Sequence, residues 1–443
     1  MGVFETRDNK LYMDGVDLTA LAAEFGTPLY VLSRAAIERN IDEVKRSFTD
    51  KYAGTEAAYA SKAFLSIAMA QLIGAAGLCL DVVSGGELYT ALRAGFPPER
   101  IIFHGSNKTP QEIEAAALAG DIRITVDAGG EVDMIERVCD KIESTGLTVP
   151  WGKDRQGAPV RVLFRINPRV DIHGHEYMAT GKADSKFGFS IDEDVIYPAI
   201  GRAADAKHVT PVGIHFHVGS QVFDNKAHLA ALEEALKIMK GAKDRLGIEL
   251  TELNIGGGYG IRYADGDVRR PYSYFVDPVM ARVNEYCAEN GLAAPKVIIE
   301  PGRSIVGDAG VTLYTVGSIR EIAGVRKFVS VDGGMTDNIR PALYGAKYEA
   351  VVANKAGEPA DECVTVVGKC CESGDRLIED ATLACAGAGD ILAVFTTGAY
   401  GYSMASNYNK LPIPAVALID EGTAKLIVRR QTYDDLIARD LPL

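Results

Sequence analysis

The sequence predicts an α/β protein: a (β/α)8 barrel of the TIM type, followed by a second, mostly β domain. Three observations predict this. From residue 56 onward, short β-branched or apolar runs alternate with helical stretches, the pattern of strand–helix units in a parallel sheet. Eight such units follow one another over roughly 250 residues, the usual size of a closed barrel. After Arg303 the helical periods give way to β-branched and aromatic runs separated by Gly and Asp, the pattern of a β domain.

The elements follow in order. Residues 1 to about 35 hold short alternating pieces such as 10–13 and a strand at 27–32, unlike the opening helix of a barrel. Ser33 is placed to cap a helix over 35–48. The strand–helix pairs are then 56–61 with 64–76, 79–83 with 86–94, 100–103 with 110–119, and 123–126 with 131–144. The apolar strand 160–166 leads through a long Gly- and His-containing loop to a helix at 192–204. Strand 211–216 precedes a helix with Leu229, Leu232, Leu236 and Met239 on one face. Strand 250–255 precedes a glycine run and a helix at 276–289, and 296–299 is the eighth strand. In the second domain, strands are expected at 311–322, 327–331, 363–367, 391–396 and 415–419.

Composition narrows the function classes. An apolar fraction of 47% against 24% charged is that of a globular chain with a substantial core. A net charge of −13 argues against nucleic-acid or anionic-membrane partners. The seven cysteines form no C-x-x-C pairs, so a reducing compartment is the default and a cytoplasmic location is expected. The first ten residues are polar, without a signal peptide, and no apolar run is long enough to span a membrane. A loose myristoylation pattern (Met1-Gly2 with Thr6) and a glycosylation pattern (Asn107-Lys108-Thr109) are short enough to arise by chance.

The polar residues hardest to place in a core fall where barrel strands end: Lys62, Asp81, His104, Arg165, His217, Gly256-Gly257-Gly258 and Glu300. In this fold the carboxyl ends of the strands form the active face. Lys62 could equally be a snorkelling lysine with its head in water. The glycine run and Ser220 could cradle an anion, and a flexible turn explains the run about as well. His215 and His217 are two apart on a strand, and a metal-hydrolase reading would make them ligands. The other strand ends, however, supply a lysine, an arginine and glycines in place of further ligands. An amine for a Schiff base, an anion cradle and a carboxylate are together the requirements of pyridoxal phosphate. A carboxylate at the cofactor's ring nitrogen keeps it protonated and the ring electron-accepting, so Glu300 favours chemistry at a substrate α-carbon.

These motifs together resemble the fold-type III pyridoxal-phosphate-dependent decarboxylases, most closely their diaminopimelate branch. The resemblance runs over nearly the whole chain. It rests on Tyr59-Ala60-Ser61-Lys62-Ala63, DVVSGGE from Asp81 to Glu87, Ser185-Lys186-Phe187-Gly188, HFHVGS from His215 to Ser220, NIGGG from Asn254 to Gly258, and Glu300-Pro301-Gly302-Arg303. To these it adds Cys371-Glu372-Ser373-Gly374-Asp375 and GAYGYSMASN from Gly398 to Asn407. The resemblance implies that Lys62 carries pyridoxal 5'-phosphate, His217 stacks on its ring and Glu300 pairs with its nitrogen. Ser220, Gly258 and Tyr400 would hold the phosphate, with Asp81, Arg165, Gly256, Gly257, Gly302 and Arg303 also in the cofactor site. It further implies three divisions, with residues 1–35 joining the β domain 306–443 and the barrel spanning 36–305.

A homodimer is implied too, each active site being completed by Cys371 and Glu372 of the second copy. Cys371 would be the acid that reprotonates the α-carbon. Without its Glu-Ser-Gly-Asp flank, the pair Cys370-Cys371 would read as two buried hydrophobes. The expected reaction is decarboxylation of meso-2,6-diaminopimelate to L-lysine. Glu372 would hold the distal ammonium, and Arg303, Arg340, Tyr344 and Tyr400 the distal end with its carboxylate, since arginine pairs a carboxylate with two prongs. An ordinary surface arginine is the alternative for Arg340. Rival readings are a decarboxylase of D-lysine, ornithine or carboxynorspermidine, a racemase (disfavoured by Glu300), and a non-catalytic cofactor-binding relative. Phe64 departs from the Asn of many relatives, residues 151–157 look like a surface insertion, and the loop 170–186 is expected to act as a lid.

Overall fold

The computed structural model describes residues 3–148, 158–170 and 186–443. The expected insertion at 151–157 and nearly all of the expected lid fall outside the described residues. The chain divides into two compact units: Met1–Asn40 with Ile261–Val268 and Arg303–Leu443, and Ile41–Gly260 with Arg269–Gly302.

The second of these is the barrel. Its strands and helices are β1 (Thr55–Ala60), α1 (Ile67–Ala75), β2 (Cys79–Val82), α2 (Gly85–Arg93), β3 (Ile101–Phe103), α3 (Pro110–Ala119), β4 (Arg123–Val126), α4 (Gly130–Thr145), β5 (Val160–Asn167), α5 (Glu193–Ala204), β6 (Val209–His215), α6 (Lys226–Leu246), β7 (Glu252–Asn254), α7 (Tyr272–Asn290) and β8 (Lys296–Ile299). Each strand pairs in parallel with the next, and β8 pairs with β1, so the sheet closes. Helix starts are set by side chains. Ser66 accepts from Met69 N at 3.1 Å, so α1 begins at Ile67 and not at the expected residue 64. Thr109 and Glu112 form a reciprocal capping box at α3.

In a strand, alternate residues share a face, and the inward set of this barrel is layered. Glu56, Arg123, Arg161, Glu252 and Lys296 carry charge at the amino-terminal end. Ala58, Cys79, Ile102, Leu163 and Ile298 form an apolar cluster above them. Asp81, His104, Arg165, His215, Asn254 and Glu300 follow at the carboxyl end. The charged floor is centred on Arg123, 1% exposed, whose Nη1 donates to Glu56 at 2.7 Å and Glu252 at 3.2 Å. Lys296 reaches the other oxygen of Glu56 at 2.7 Å. Gly213 on β6 has no room for a side chain, because a Cβ there would meet Glu252 O at 2.1 Å.

The other unit is built on a mixed sheet in the order Arg376–Leu383, Glu362–Val367, Arg326–Val331, Gly310–Ile322, Leu29–Ser33, Ala415–Asp420, Thr423–Val428. Ile391–Phe395 also pairs with Gly310–Ile322, and Ala350–Val352 with Ile391–Phe395. Leu29–Ser33 is buried throughout; it runs antiparallel to Gly310–Ile322 and parallel to Ala415–Asp420. The amino-terminal segment is therefore part of the β sheet, and Ser33 Oγ caps the helix Arg34–Val44 through Ala36 N at 2.9 Å. Two points differ from the sequence reading. Residues 36–40, 261–268 and 303–305 group with the β unit. Three strands, Ala350–Val352, Arg376–Leu383 and Thr423–Val428, go unrecognised because they are short or carry exposed charge.

The floor yields a stability prediction. Arg123→Ala strands the buried Glu252 and half-buried Glu56 without their shared cation, and breaking a buried ionic group in this way costs about 3–5 kcal/mol. Denaturant unfolding of the purified variant against wild type measures the loss, and a change below about 1 kcal/mol would mean the floor behaves as a solvated surface network.

Candidate active site

The polar layer at the carboxyl ends of the barrel strands is organised about Glu300, the residue after β8. Glu300 is 6% exposed. Its Oε1 lies 2.7 Å from His104 Nε2, just past β3, and its Oε2 lies 3.4 Å from His215 Nε2, the last residue of β6. Both histidines approach off the line of a good hydrogen bond, so the well-aligned donor is Asn254 Nδ2 from β7, at 2.6 Å from Oε1. Burial presses the Glu300 carboxyl toward its neutral form, but the contacts with His104 and His215 outweigh it and hold the group well below the usual carboxylate range. Burial also drives His215 down to about 3, so its ring is neutral. The result is an ionised carboxylate in a dry place.

Around this centre stand the other expected residues of the barrel. Lys62 does not end β1; it lies two residues beyond it, in the single helical turn Ser61–Ala63, and is exposed. Its charge acts on Asp81, Glu87 and His217. Asp81 sits inside β2, 1% exposed, and burial pushes its carboxyl up against the opposing pull of His104 and Lys62. Arg165 is inside β5, two residues before its end. Its guanidinium lies 4.4 Å over the Phe187 ring, and its Nε is 3.7 Å from Asp127. His217 Nδ1 accepts from Gly257 N at 3.3 Å, which places the ring proton of the neutral form on Nε2. Burial, with Lys62 and Arg165 nearby, holds His217 well below its ordinary value.

The glycine run has a packing role beside the one expected. A Cβ on Gly257 would meet Glu300 O at 2.0 Å, and one on Gly258, whose φ is +101°, would meet Gly219 O at 2.1 Å. The glycines let the loop after β7 pass hard against its neighbours' backbones. The Gly256 and Gly257 amides donate to Asn254 Oδ1 and His217 Nδ1. Gly302 likewise admits Ala60, whose Cβ would lie 2.9 Å away from an added one.

The donor set fits a polar ligand. Asp81 Oδ1, Ser61 Oγ and His215 Nδ1 are buried without a hydrogen-bond partner among the described residues, and burying such atoms unpaired is costly. His104, His215 and Glu300 lie close enough for a metal ion. The Asn254 amide, however, aims its positive end at the same Glu300 oxygen that His104 faces, which opposes a cation there. His215 and His217 do not form a pair of ligands: one packs on Glu300, the other accepts from Gly257.

In the β unit the expected arginines come together with tyrosines that sequence reasoning missed. Arg340 is 3% exposed, so it is not a surface residue. It lies 4.7 Å over the Tyr263 ring and donates to Tyr348 Oη. Arg303 donates to Tyr263 Oη at 2.5 Å and lies 4.5 Å over Tyr400. Tyr400 has a φ of +59°, an uncommon conformation for a bulky side chain. Among the described residues neither arginine has an acidic partner. Tyr344 is half-buried in the short helix Arg340–Tyr344.

Cys371 and Glu372 occupy an exposed turn, so Cys371 is not a core hydrophobe. Asn409 Oδ1 accepts from Cys371 N at 2.8 Å, and Tyr408 Oη donates to Cys371 O at 3.2 Å. Burial and the nearby Asp375 raise the neighbouring Cys370 thiol to about 11. Glu87, within a motif that carries the resemblance but given no role there, accepts from Val83 N at 2.7 Å. Burial pushes its carboxyl up to about 7.

A parallel barrel whose open end holds a lysine, a glycine turn and a buried ionised carboxylate is the kind of site that pyridoxal enzymes use. A family model described as "Pyridoxal-dependent decarboxylase, pyridoxal binding domain" matches residues 34–307, the stretch that carries every barrel strand. The chain is 46% identical over 438 residues to the diaminopimelate decarboxylase of Bacillus subtilis, a match covering 99% of this chain and 97% of that one. Among solved structures it is similar to the diaminopimelate decarboxylase of M. jannaschii, with a TM-score of 0.89 and 34% identity, covering 100% of this chain and 98% of that one. The Helicobacter pylori enzyme complexed with L-lysine matches with a TM-score of 0.82 and 31% identity, covering 95% of this chain and 98% of that one. The chain belongs to the pyridoxal-dependent decarboxylase family, among its diaminopimelate decarboxylase members.

Glu87 makes this site's stability depend on pH. Its folded value, about 7, stands above the ordinary 4.5, so the native state keeps this proton longer than the unfolded chain. The penalty is absent well below pH 4.5, grows between about 4.5 and 7, and is complete above about 7. Glu87→Gln should therefore add about 1–3 kcal/mol at pH 8 and almost nothing at pH 4. Parallel urea melts at the two pH values check this, and equal effects at both would contradict it.

Proposed function

We propose that the protein decarboxylates meso-2,6-diaminopimelate to L-lysine and carbon dioxide with pyridoxal 5'-phosphate as cofactor. The observation that carries the substrate assignment is Arg340, buried among tyrosines with no acidic partner among the described residues. A buried guanidinium without a counter-ion is costly, and a substrate carboxylate at its far end offsets that cost. Simple diamino acids lack such a group.

Pyridoxal phosphate, when bound, supplies an electron sink for the pair left behind as the α-carboxylate departs as carbon dioxide. Lys62 would provide the amine that holds it. Glu300, ionised, would keep a proton on its ring nitrogen, with Asn254, His104 and His215 fixing that carboxylate. His217, neutral and with Nδ1 occupied, would offer a flat uncharged face. Ser220, Gly258 and Tyr400 would bind the phosphate, and Asp81, Arg165, Gly256, Gly257, Gly302 and Arg303 would complete the surroundings. For the far end of the substrate we assign Arg303, Arg340, Tyr344 and Tyr400 to its carboxylate and Glu372 to its ammonium. Cys371 would deliver a proton to the α-carbon. Its exposure supports a homodimer in which each copy's Cys371–Glu372 turn serves the other's site. The proposed organisation is a cofactor-binding barrel and a β domain, with the bounds given under the fold, in a cytoplasmic enzyme acting on a small amino acid, without nucleic-acid or membrane partners.

The test is carbon dioxide release by the cofactor-loaded protein from meso-diaminopimelate, D-lysine, L-ornithine and L-arginine side by side. A preference for diaminopimelate of at least a hundredfold in kcat/KM is expected. Preference for a simple diamino acid would overturn the Arg340 assignment, and release from none would favour a binding-only relative.

Subunit sharing has its own check. Lys62→Ala should lose both turnover and the visible absorbance of the lysine-bound cofactor, and Cys371→Ala should lose turnover alone. Mixing the two inactive proteins should restore up to about a quarter of wild-type activity, the share expected if one of a hybrid's two sites is intact and half of the dimers are hybrids. No recovery after demonstrated subunit exchange would rule out a shared cysteine.

A further inference from the structure

We propose that Asp375 is a positioning residue that ties the Cys371–Glu372 turn to the segment leading into Arg340, so that the proton donor and the carboxylate reader are held in register by one carboxylate. The inference rests on the function proposed above for those two segments.

Asp375 is 4% exposed. Its Oδ2 accepts from Cys370 N at 2.7 Å, and its Oδ1 accepts from Met335 N at 2.7 Å. One oxygen thus holds the start of the cysteine turn and the other the turn at Gly334–Asn338, where Asp337 N and Asn338 N both return to Gly334 O. That turn runs directly into the helix Arg340–Tyr344.

Among the described residues no cation pairs with the Asp375 carboxylate. The carboxylate is satisfied by backbone N–H groups, whose positions are as fixed as the chain itself, and such bonds are the strong, charge-assisted kind. The two strands of backbone are also linked by Lys369 N to Gly333 O at 3.0 Å, and the cysteine turn closes through Gly368 N to Asp375 O at 3.1 Å. Two glycines wrap the carboxylate: a Cβ on Gly334 would lie 2.6 Å from both its oxygens, and one on Gly368 would lie 2.3 Å from Oδ2. A side chain at either place would displace the clamp.

The far side of the cysteine turn is pinned by Asn409 and Tyr408. Cys371 therefore presents an exposed thiol on a backbone held from both sides. Proton delivery to one carbon tolerates little misplacement, and an error of about 1 Å can cost 10²-fold in rate. Removing one of Asp375's two links should therefore move kcat through the thiol and KM through Arg340 together.

The test uses the cofactor-loaded, full-length protein and two variants. Asp375→Asn keeps the size of the side chain but offers one acceptor in place of two. Gly334→Ala keeps the charge and pushes against it. Alkylation of the native protein by iodoacetamide, mapped by peptide mass, gives the rate at Cys371 relative to Cys363 and Cys385, the two other exposed cysteines. The expected result is at least a fivefold change in that ratio for Asp375→Asn and a smaller change in the same direction for Gly334→Ala. With it come at least a tenfold fall in kcat and a rise in KM for diaminopimelate, while the visible cofactor absorbance stays at wild-type intensity.

A labelling ratio and kinetic constants within twofold of wild type in both variants would overturn the proposal. So would loss of activity in step with loss of cofactor absorbance, which is general unfolding. If Asp375→Asn fails to fold, Gly334→Ala decides alone by the same readings. The labelling ratio is read whether or not the wild type turns over diaminopimelate, so failure of the clamp and failure of the proposed function are separate results.

Discussion

Glu300 carries a negative charge where burial alone would remove it, and the rest of the barrel mouth depends on that charge. A carboxyl taken out of water gives up ionisation unless fixed donors replace the solvent. Here the replacements come from His104 beyond β3, His215 at the end of β6 and Asn254 on β7. These strands are not all neighbours of β8 in the sheet. His104 reaches Glu300 only because the sheet closes into a barrel and its strand ends converge. Closure in turn rests on the layered interior, in which an apolar belt of Ala58, Cys79, Ile102, Leu163 and Ile298 separates the charged floor from the polar mouth. The belt keeps the cationic floor from neutralising the mouth, since each layer satisfies its own charges.

Much of this layering is legible in the sequence. Residues spaced by two along each strand, such as Glu56, Ala58 and Ala60, or Lys296, Ile298 and Glu300, spell out floor, belt and mouth without any long-range information. The eight barrel strands are found within a few residues for the same reason. Errors arise where a boundary is set by a side chain and not by periodicity: Ser66 delays α1, and Lys62 falls beyond its strand because one tight turn intervenes.

What the sequence hides is partnership across distance. Asn254 reads as part of a glycine motif, yet its amide bonds the central carboxylate. Tyr263 and Tyr348 carry no motif at all, and only the fold brings them onto Arg303 and Arg340. The glycine run shows how a correct motif can carry an incomplete reason. Its residues are indispensable because neighbouring carbonyls lie where a Cβ would be, and two of its amides are already spent on Asn254 and His217. Arg340 is the opposite case, since its lack of an acidic partner among the described residues becomes apparent only once its surroundings are known.

The strand Leu29–Ser33 lies between Gly310–Ile322 and Ala415–Asp420 in one sheet. During synthesis, that strand leaves the ribosome long before either neighbour exists. Roughly 380 residues separate it from its parallel partner, about 20–80 s of elongation at ~5–20 residues per second. Until Gly310–Ile322 is made, Leu29, Tyr30, Val31 and Leu32, all buried in the finished sheet, are an unpaired apolar strand, and the side that meets Ala415–Asp420 stays open for the whole interval, while the barrel strands between can already be pairing with one another. Burial of this strand along both of its edges therefore depends on chain made hundreds of residues later, and a chain cut short between residues 323 and 414 would hold every barrel strand and a β sheet in which Leu29–Ser33 has one open side.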